Sequence, residues 1–318
     1  MRIIEPSYEI MDMGQMDPVK KIELVGRVCY KSESLITEDS APRFVSTLIE
    51  RQHYAMLEHA SIIIESDFWG YVRLSRMISA YEEETGLPAF INITKENYLE
   101  RFKFSGNVRA WRELLRNLES GERLPIGIRK IIQNHPVLFG DLNFAFSETI
   151  WEGCVSEATI DDLKNPKEIA RHTPLTVKFT VDIAVARELC RHRLASHAGS
   201  STRYCDYSKG KFGGEIAVVE PQENYRDDGL AFVRGAAYAE AKYLEQRAEG
   251  IPPEIARSSL PLGTMCEHVM TMPLEKWKHI FNLRALDKTG KAHPQIKRVM
   301  IPLLEEVEKL YPMIDWRA

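Results

Sequence analysis

The segment RHRLASHAGSSTRY, residues 191–204, holds three arginines, two histidines and three serines. Arginine side chains bind phosphates and carbonyl oxygens through two parallel hydrogen bonds, and serine hydroxyls can complete an oxyanion site. The segment therefore predicts a site for an anionic, planar ligand such as a nucleotide. The alternative is a solvated loop between two core elements.

Length and composition are typical of a globular protein with a full hydrophobic core. The chain has 318 residues, of which 44% are hydrophobic and 28% charged, enough for one large domain or two modest ones. A net charge of −4 and a pI near 6.2 argue against a nucleic-acid partner. They remain compatible with a small phosphorylated ligand in a local basic pocket.

The location expected from the sequence is the cytoplasm. No run of about 18 apolar residues occurs, and the N-terminal residues do not resemble a signal peptide, so no membrane association is expected. The five cysteines are scattered, odd in number and without a Cys-x-x-Cys pair, which favours reduced thiols over disulfides or structural zinc.

Hydrophobic periodicity predicts an α+β fold with a mixed or antiparallel sheet flanked by helices. We interpret residues 1–318 as one domain with a largely helical, ordered insertion at about 67–173, in which Ser105 or Asn107 caps a helix. The sequence contains no Gly-x-Gly-x-x-Gly motif and no phosphate-binding loop. Helices are predicted over 17–31, 41–53, 182–193, 226–248, 273–285 and 294–311, and strands over 61–65, 176–181, 214–221 and 265–271.

A metal site is one interpretation of His53, Glu58 and His59, since two imidazoles and a carboxylate can bind zinc. Their spacing does not match a helical His-x-x-x-His pair, and the sequence shows no obvious further ligand cluster. We therefore predict no metal. A structural role or a contact with a cofactor is the preferred interpretation of His53.

Four blocks of sequence, in the same order, resemble the flavin-dependent thymidylate synthases. The matched regions cover residues 20–66 and 174–312, with 67–173 as the insertion. A lone Arg-His-Arg would be a weak signal, whereas four ordered blocks are a strong one. The blocks are His53 to His59, Arg191-His192-Arg193 with Ser201, Ala256 to Pro261, and Trp277 to Arg284.

The resemblance implies reductive methylation of dUMP to dTMP. Methylenetetrahydrofolate would supply the carbon, and NADPH would supply reducing equivalents through FAD. It also implies a homotetramer with active sites shared between subunits. Two alternatives stay open: a related flavin-dependent modification of another pyrimidine nucleotide, and a catalytically silent nucleotide-binding homologue.

The resemblance also implies roles for individual residues. Arg284 matches the catalytic arginine that polarises the uracil ring. An ordinary structural role, such as a surface ion pair or a helix-terminal histidine, is the alternative for several of these residues. Glu188 lies one helical turn before Arg191, so we expect it to face the same pocket and contact dUMP. The other expected dUMP-binding residues are Arg191, Ser200, Ser201, Thr202, Arg203, Arg257 and Arg284, with backbone amides of the 199–202 turn as phosphate donors. The implied FAD-binding residues are His53, Arg191, His192, Arg193 and His279.

The chain departs from the family at two places. The acidic residue that usually precedes the motif serine is replaced by Ala198-Gly199-Ser200, and the usual Asn-x-Arg before the last helix is replaced by Pro273-Leu274-Glu275. The insertion contains Asn107-Val108-Arg109 just before a tryptophan. We hypothesise that Asn107 and Arg109 supply the missing FAD contacts.

Overall fold

The computed structural model describes residues 1–96, 101–117, 126–142, 153–221 and 229–318. Strands and helices alternate irregularly along these ranges. The strands are β1 (Arg2–Ile4), β2 (Ser7–Asp12), β3 (Ser61–Ser66), β4 (Ile91–Glu96), β5 (Arg101–Asn107), β6 (Val155–Ala158), β7 (Pro174–Asp182), β8 (Ser196–Gly199), β9 (Ala217–Val219) and β10 (Met265–Pro273). The helices are α1 (Pro18–Tyr30), α2 (Ser40–Glu50), α3 (Phe68–Thr85), α4 (Val108–Arg116), α5 (Ile126–Asn134), α6 (Pro136–Phe139), α7 (Pro166–His172), α8 (Ile183–Leu189), α9 (Gly229–Ala248), α10 (Pro253–Ala256), α11 (Leu274–Arg284) and α12 (Pro294–Leu310).

One antiparallel sheet has the strand order β2-β7-β10-β8. The alternating apolar residues of β7, Leu175 to Val181, are fully buried. They pack with Trp277 of α11 and with Val299 and Leu303 of α12 in one hydrophobic cluster. This burial fixes α11 on the sheet, and α11 carries His279 and Arg284.

A second antiparallel sheet, β4-β5-β3-β6, takes three of its four strands from residues 67–173. The described parts of residues 67–173 contain helices α3 to α7 besides these three strands. Their core is continuous with earlier elements, because Ile22 of α1 and Val45 of α2 belong to the same buried cluster as Phe104 and Trp111. The described residues of 67–173 are therefore packed against the N-terminal helices.

A third unit is the parallel pair β1–β9, which lies with α9 and α10. Its cluster includes Cys205, Ile216, Tyr243 and Ala256. Arg247 of α9 donates two hydrogen bonds to Asp206, at 3.0 and 2.8 Å. These bonds connect Asp206, just after the 191–204 segment, to α9.

The α+β prediction is confirmed, and the predicted helices and strands match observed ones. Two extents were wrong. The helix predicted over 182–193 ends at Leu189, because the chain turns there and the amide of His192 donates to the Leu189 carbonyl at 3.1 Å. The strand predicted over 214–221 is limited to Ala217–Val219, after positive-φ turns at Gly213 and Gly214. The first three residues of the predicted 226–248 helix lie outside the described ranges.

Among the described residues, the structure contains no helix that is both long enough and apolar enough to span a membrane.

Candidate functional site

Arg284 and Glu188 form an ion pair at the junction of α11 and α8. Arg284 Nη1 donates to Glu188 Oε2 at 2.7 Å, and Arg284 Nε lies 3.4 Å from His192 Nε2. Both partners of the pair are half-buried. The pair therefore holds the Arg284 guanidinium beside the first turn of the 191–204 segment.

His192 is neutral in this environment. Burial, and then the positive charge of Arg284, lower the pKa of His192 to about 4. Its Nε2 accepts from Arg284, so a neutral ring carries its proton on Nδ1. The His279 ring meets the His192 ring edge-on, with centroids 6.5 Å apart. The fold thus brings together Glu188, His192, His279 and Arg284.

The middle of the 191–204 segment is a strand, not a loop. In β8, Thr271 of β10 pairs with Ser196 and His268 pairs with Gly199. Ala198 is buried in a cluster with Val25 and Val269. Ala198, which lies where the family usually has an acidic residue, therefore packs against α1.

The backbone amides of Ser200 and Ser201, in the turn after β8, already donate hydrogen bonds within the protein. The Ser200 amide donates to the Glu267 carbonyl at 2.8 Å, and the Ser201 amide donates to the Cys29 carbonyl at 3.2 Å. The expectation that the backbone amides of the 199–202 turn bind phosphate is therefore wrong for these two, because both stabilise the β8–β10 and α1 junction. The Ser200 hydroxyl also accepts from the Glu267 amide at 3.0 Å.

The end of the segment lines a basic, aromatic cavity of about 710 Å³. Its lining includes Tyr204, His53, Arg43 and Arg51. The Tyr204 ring contacts the Tyr30 ring at a centroid distance of 5.2 Å. Cationic and aromatic side chains together suit a ligand that carries phosphates and a planar ring. We call this space the Tyr204 cavity.

A second space lies between the insertion and the first sheet. Two adjoining cavities of about 300 and 400 Å³ share Glu58, Asn107, Leu194 and Ser196 in their linings. We call them together the insertion cleft. The larger cavity is also lined by Arg109 and Arg193, and the smaller one by Pro273. Asn107 therefore lines the same cavity as Pro273, which stands where the family usually has Asn-x-Arg. Arg109 lines the adjoining cavity with Arg193.

The cleft-facing residues of α4 also have structural roles. Asn107 caps α4, because its Oδ1 accepts from the Ala110 amide at 2.8 Å. Arg109 donates to Glu58 at 2.8 Å and to Glu113 at 2.6 Å. The capping predicted for Asn107 is confirmed. The Nδ2 end of the Asn107 side chain is not used in the capping bond, so its N–H groups can still donate to a ligand.

Several predicted ligand-binding residues are exposed in the single chain. Arg191, Arg193, Arg203 and Arg257 all lie at the surface. Arg257 begins a short 3₁₀ turn after α10, in the unit of the β1–β9 pair. Ser201 and Thr202 are half-buried.

The three residues of the metal interpretation have different surroundings. His59 is fully buried and its Nδ1 lies 2.8 Å from Thr271 Oγ1, whereas Glu58 is paired with Arg109 and His53 is exposed. A contact that the sequence did not indicate joins His197 Nδ1 and His268 Nε2, which lie 3.0 Å apart. Burial lowers the pKa of both rings, that of His268 to about 3. A separation of 71 residues leaves no local sequence signal for this pair.

Comparisons with known proteins agree with the sequence blocks. The sequence model of the family described as "Thymidylate synthase complementing protein" matches residues 158–313. The flavin-dependent thymidylate synthase of Pyrococcus abyssi is 31% identical over 132 residues, 41% of this chain and 53% of that protein. Those of Pyrococcus horikoshii and Synechocystis sp. are 27% and 30% identical, over 59% and 38% of this chain and 83% and 61% of theirs.

The match to the P. abyssi relative thus spans about half of that protein's length. Among solved structures, a "UMP/dUMP methylase PolB" from Streptomyces cacaoi with 5-Br dUMP aligns at a TM-score of 0.44 and 14% identity, over 98% of this chain and 94% of that one. The sequence matches fall on the segments that carry the 191–204 motif, Arg257 and Arg284. Residues 158–313 of the chain are thus similar to the flavin-dependent thymidylate synthases.

Proposed function

We propose that this protein catalyses reductive methylation of dUMP to dTMP, with methylenetetrahydrofolate as carbon donor and NADPH as reductant through FAD. The observation that carries the proposal is the position of Arg284, which Glu188 and His192 hold beside the family motif. The match of residues 158–313 to the family's sequence model supports the same reaction.

Arg284 has the chemistry that methylation at C5 requires. C5 of uracil becomes nucleophilic when negative charge that develops on the ring oxygens is stabilised, and a fixed guanidinium stabilises such charge. Glu188 orients the guanidinium through a charge-assisted hydrogen bond. Burial keeps the His192 ring deprotonated and neutral, so His192 does not repel the Arg284 guanidinium. Arg284 is therefore our catalytic residue and Glu188 a dUMP-site residue.

The nucleotide phosphate would lie at the exposed end of the motif. Arg203 and Thr202 are near Tyr204, whose ring lies 5.3 Å from the Arg203 guanidinium carbon. The side chains of Ser201, Arg191 and Arg257 complete the proposed dUMP set. Ser200 belongs to that set by its position in the motif, although its hydroxyl and amide already bond to the β10 backbone.

The residues proposed for FAD have donor chemistry that fits the group. Arginine, histidine and amide side chains bind pyrophosphate and the polar edge of a flavin ring. The insertion cleft offers Asn107, Arg109 and Arg193, and the Tyr204 cavity offers His53. Arg191, His192 and His279 complete the proposed set. When bound, FAD would pass reducing equivalents from NADPH to the transferred carbon.

Assembly into a homotetramer would complete these sites. Large apolar side chains are exposed beside the proposed ligand residues: Leu194 is 63% exposed, Tyr204 55% and Ile255 57%. Exposed apolar surface of this kind favours a protein–protein contact. We further propose that residues 67–173 are an insertion within a single domain, because their core includes residues of α1 and α2.

A second candidate is methylation of another pyrimidine nucleotide. The observation that favours it is the absence of a carboxylate at Ala198-Gly199-Ser200, where the family usually has one. Loss of a group that contacts the nucleotide changes which sugar or base is accepted.

Release of tritium from C5-labelled nucleotides tests both candidates. The purified protein is supplied with FAD, NADPH, methylenetetrahydrofolate and either labelled dUMP or labelled UMP. We expect release from dUMP at a higher kcat/KM than from UMP. Release from UMP alone would contradict the first candidate and support the second. If neither nucleotide releases tritium although FAD binds, both candidates are wrong.

A further inference from the structure

Three side chains from separate parts of the chain meet beside the proposed active site. Cys190 follows the end of α8, His197 lies in β8 and His268 lies in β10. One ligand atom from each, a sulfur and two ring nitrogens, lies within 4.8 Å of the others. We propose that Cys190, His197 and His268 form a binding site for a zinc-like divalent transition-metal ion.

Sheet geometry explains the convergence. Because side chains alternate along a strand, His197 and Gly199 share the face of β8 opposite to buried Ala198. His268 is paired with Gly199 across the ladder, so both histidines lie on that face. Helix α8 ends nearby, which places the Cys190 sulfur 4.0 Å from His268 Nε2.

The separations are close to those around a tetrahedral ion. Zinc–sulfur and zinc–nitrogen bonds of about 2.3 and 2.0–2.1 Å require sulfur–nitrogen and nitrogen–nitrogen separations of about 3.6 and 3.3 Å. The observed Cys190–His268 and His197–His268 separations are 4.0 and 3.0 Å. All three ligand atoms lie within 4.8 Å of one another, so shifts of up to about 1 Å, which a rotation of the exposed Cys190 side chain can supply, would accommodate an ion.

The tautomer of His197 is already set for coordination. Its Nε2 lies 3.1 Å from the His192 carbonyl oxygen, which can only accept, so Nε2 carries the proton and donates. The lone pair is therefore on Nδ1, the atom that faces His268. Metal-binding histidines typically donate their second ring N–H to a carbonyl in this way. His268 binds through Nε2 once its proton moves to Nδ1.

One of the chain's departures from its family makes room for this cluster. Gly199 occupies a position in the stretch where the family usually has an acidic residue. A β-carbon at Gly199 would lie 3.3 Å from His268 Nδ1, closer than most such contacts. A longer side chain there would crowd the His268 ring. The glycine thus leaves space for the imidazole.

The proposed metal site is open to solvent at Cys190, and an ion bound there would restrict residues 191–196. Cys190 is exposed, so a water molecule can complete the coordination sphere. Cys190 and His197 flank residues 191–196 in the chain. An ion bound to both would fix this segment, with Arg191 and Arg193, to β10.

Cobalt titration of the full-length, metal-free protein tests the site without reference to catalysis. We expect about one Co²⁺ per chain, with thiolate-to-cobalt charge-transfer absorption in the near ultraviolet and loss of that absorption when Zn²⁺ is added. Cys190→Ser should abolish the absorption and weaken affinity on the order of 100-fold. Cys154→Ser, at an exposed cysteine elsewhere, is the matched control and should change neither.

A second variant tests whether the thiol of Cys266 contributes to the cobalt absorption. Cys266 is half-buried near Ser200, and Cys266→Ser should leave the cobalt spectrum unchanged. Absence of charge-transfer absorption in the unaltered protein would overturn the proposal. So would absorption that persists in folded Cys190→Ser or disappears in Cys266→Ser. Circular dichroism of each variant establishes that it is folded.

Discussion

Glu188 Oε2 accepts a hydrogen bond from Arg284 Nη1 at 2.7 Å, across 96 residues of sequence. The contact joins the last turn of α8 to the last residue of α11. A basic side chain at a helix C-terminus is also stabilised by the helix dipole. The guanidinium proposed to polarise the uracil ring is therefore fixed before a ligand arrives.

Arg284→Ala should reduce dTMP formation to a small residual rate while the protein remains folded and still binds FAD. Loss of one preorganised donor to a developing negative charge lowers kcat by about 100- to 1000-fold. Turnover assays, with flavin fluorescence as the binding readout, measure the two effects separately. Near-normal turnover would refute the assigned role.

Glu188→Gln tests the positioning of Arg284. The amide keeps a hydrogen-bond acceptor but removes the charge, so we expect kcat to fall by about tenfold, equivalent to about 1.4 kcal/mol in the barrier. Glu308→Gln is the matched control, since Glu308 pairs with Arg317 at the protein surface. Equal kcat in both variants would show that the Glu188 charge does not orient the guanidinium.

Arg109→Ala and Asn107→Asp test the FAD contacts proposed for the insertion. The aspartate keeps an oxygen that can cap α4, whereas alanine would also lose the cap. Each change should weaken FAD binding by about 10- to 100-fold, since hydrogen bonds to a charged ligand contribute about 1.5–3 kcal/mol. Fluorescence titration with FAD provides the measurement.

Arg116→Ala is the control on the same helix. Arg116 donates to the hydroxyl of Tyr54 and to Asp141, and it does not line the insertion cleft. FAD affinity that is unchanged in Arg109→Ala and Asn107→Asp would reject the hypothesis. An equal loss in Arg116→Ala would point to a general disturbance of α4.

His172 makes the fold sensitive to acid. Its ring nitrogens lie 2.8 Å from Thr94 Oγ1 and 2.7 Å from Ser105 Oγ, and burial, then the charge of Arg171, lower its pKa to about 4. The unfolded chain takes up this proton near pH 6.5, so the free energy of unfolding falls as pH decreases from about 6.5 to about 4. For this one histidine the loss reaches about 3 kcal/mol.

Urea unfolding of His172→Gln at pH 7 and pH 4.5 measures that contribution. The variant should be less stable at pH 7, because the packing around the ring changes. Its free energy of unfolding should fall between the two pH values by about 2–3 kcal/mol less than that of the unaltered protein. The same pH dependence in both proteins would contradict the assignment.

The buried Lys21–Asp12 ion pair connects α1 to the end of β2. Lys21 is 2% exposed and Asp12 8%, with 2.5 Å between Nζ and Oδ2. Lys21→Met leaves a buried carboxylate without its counter-charge and should cost about 3–5 kcal/mol in the free energy of unfolding. The double variant with Asp12→Asn should lose less than the sum of the single variants. Strict additivity in urea unfolding would mean that the pair is not coupled.

Local sequence signals predicted the elements whose causes are local. The periodic apolar faces of α1, α2 and α12 and the cap at Asn107 depend on neighbours within a few residues. The closing helix was predicted for the same reason, and the family motifs then indicated Arg284. The fold class and much of the proposed site were therefore accessible from the sequence.

Features that depend on distant partners were not predicted. Strand β8 has only four residues, Ser196–Gly199, and exists because it pairs with β10 about 70 residues later. The engaged amides of Ser200 and Ser201 follow from the same pairing and from contact with α1. Contacts at such separations leave no periodic signal, because tertiary packing determines them.

Mass spectrometric detection of dTMP from dUMP tests the central proposal most directly. The purified chain is incubated with FAD, NADPH and methylenetetrahydrofolate, and each component is omitted in turn. We predict dTMP only in the complete mixture, and at least about 100-fold less of it with Arg284→Ala. Absence of dTMP in the complete mixture, from folded protein that binds both FAD and dUMP, would contradict the proposed function.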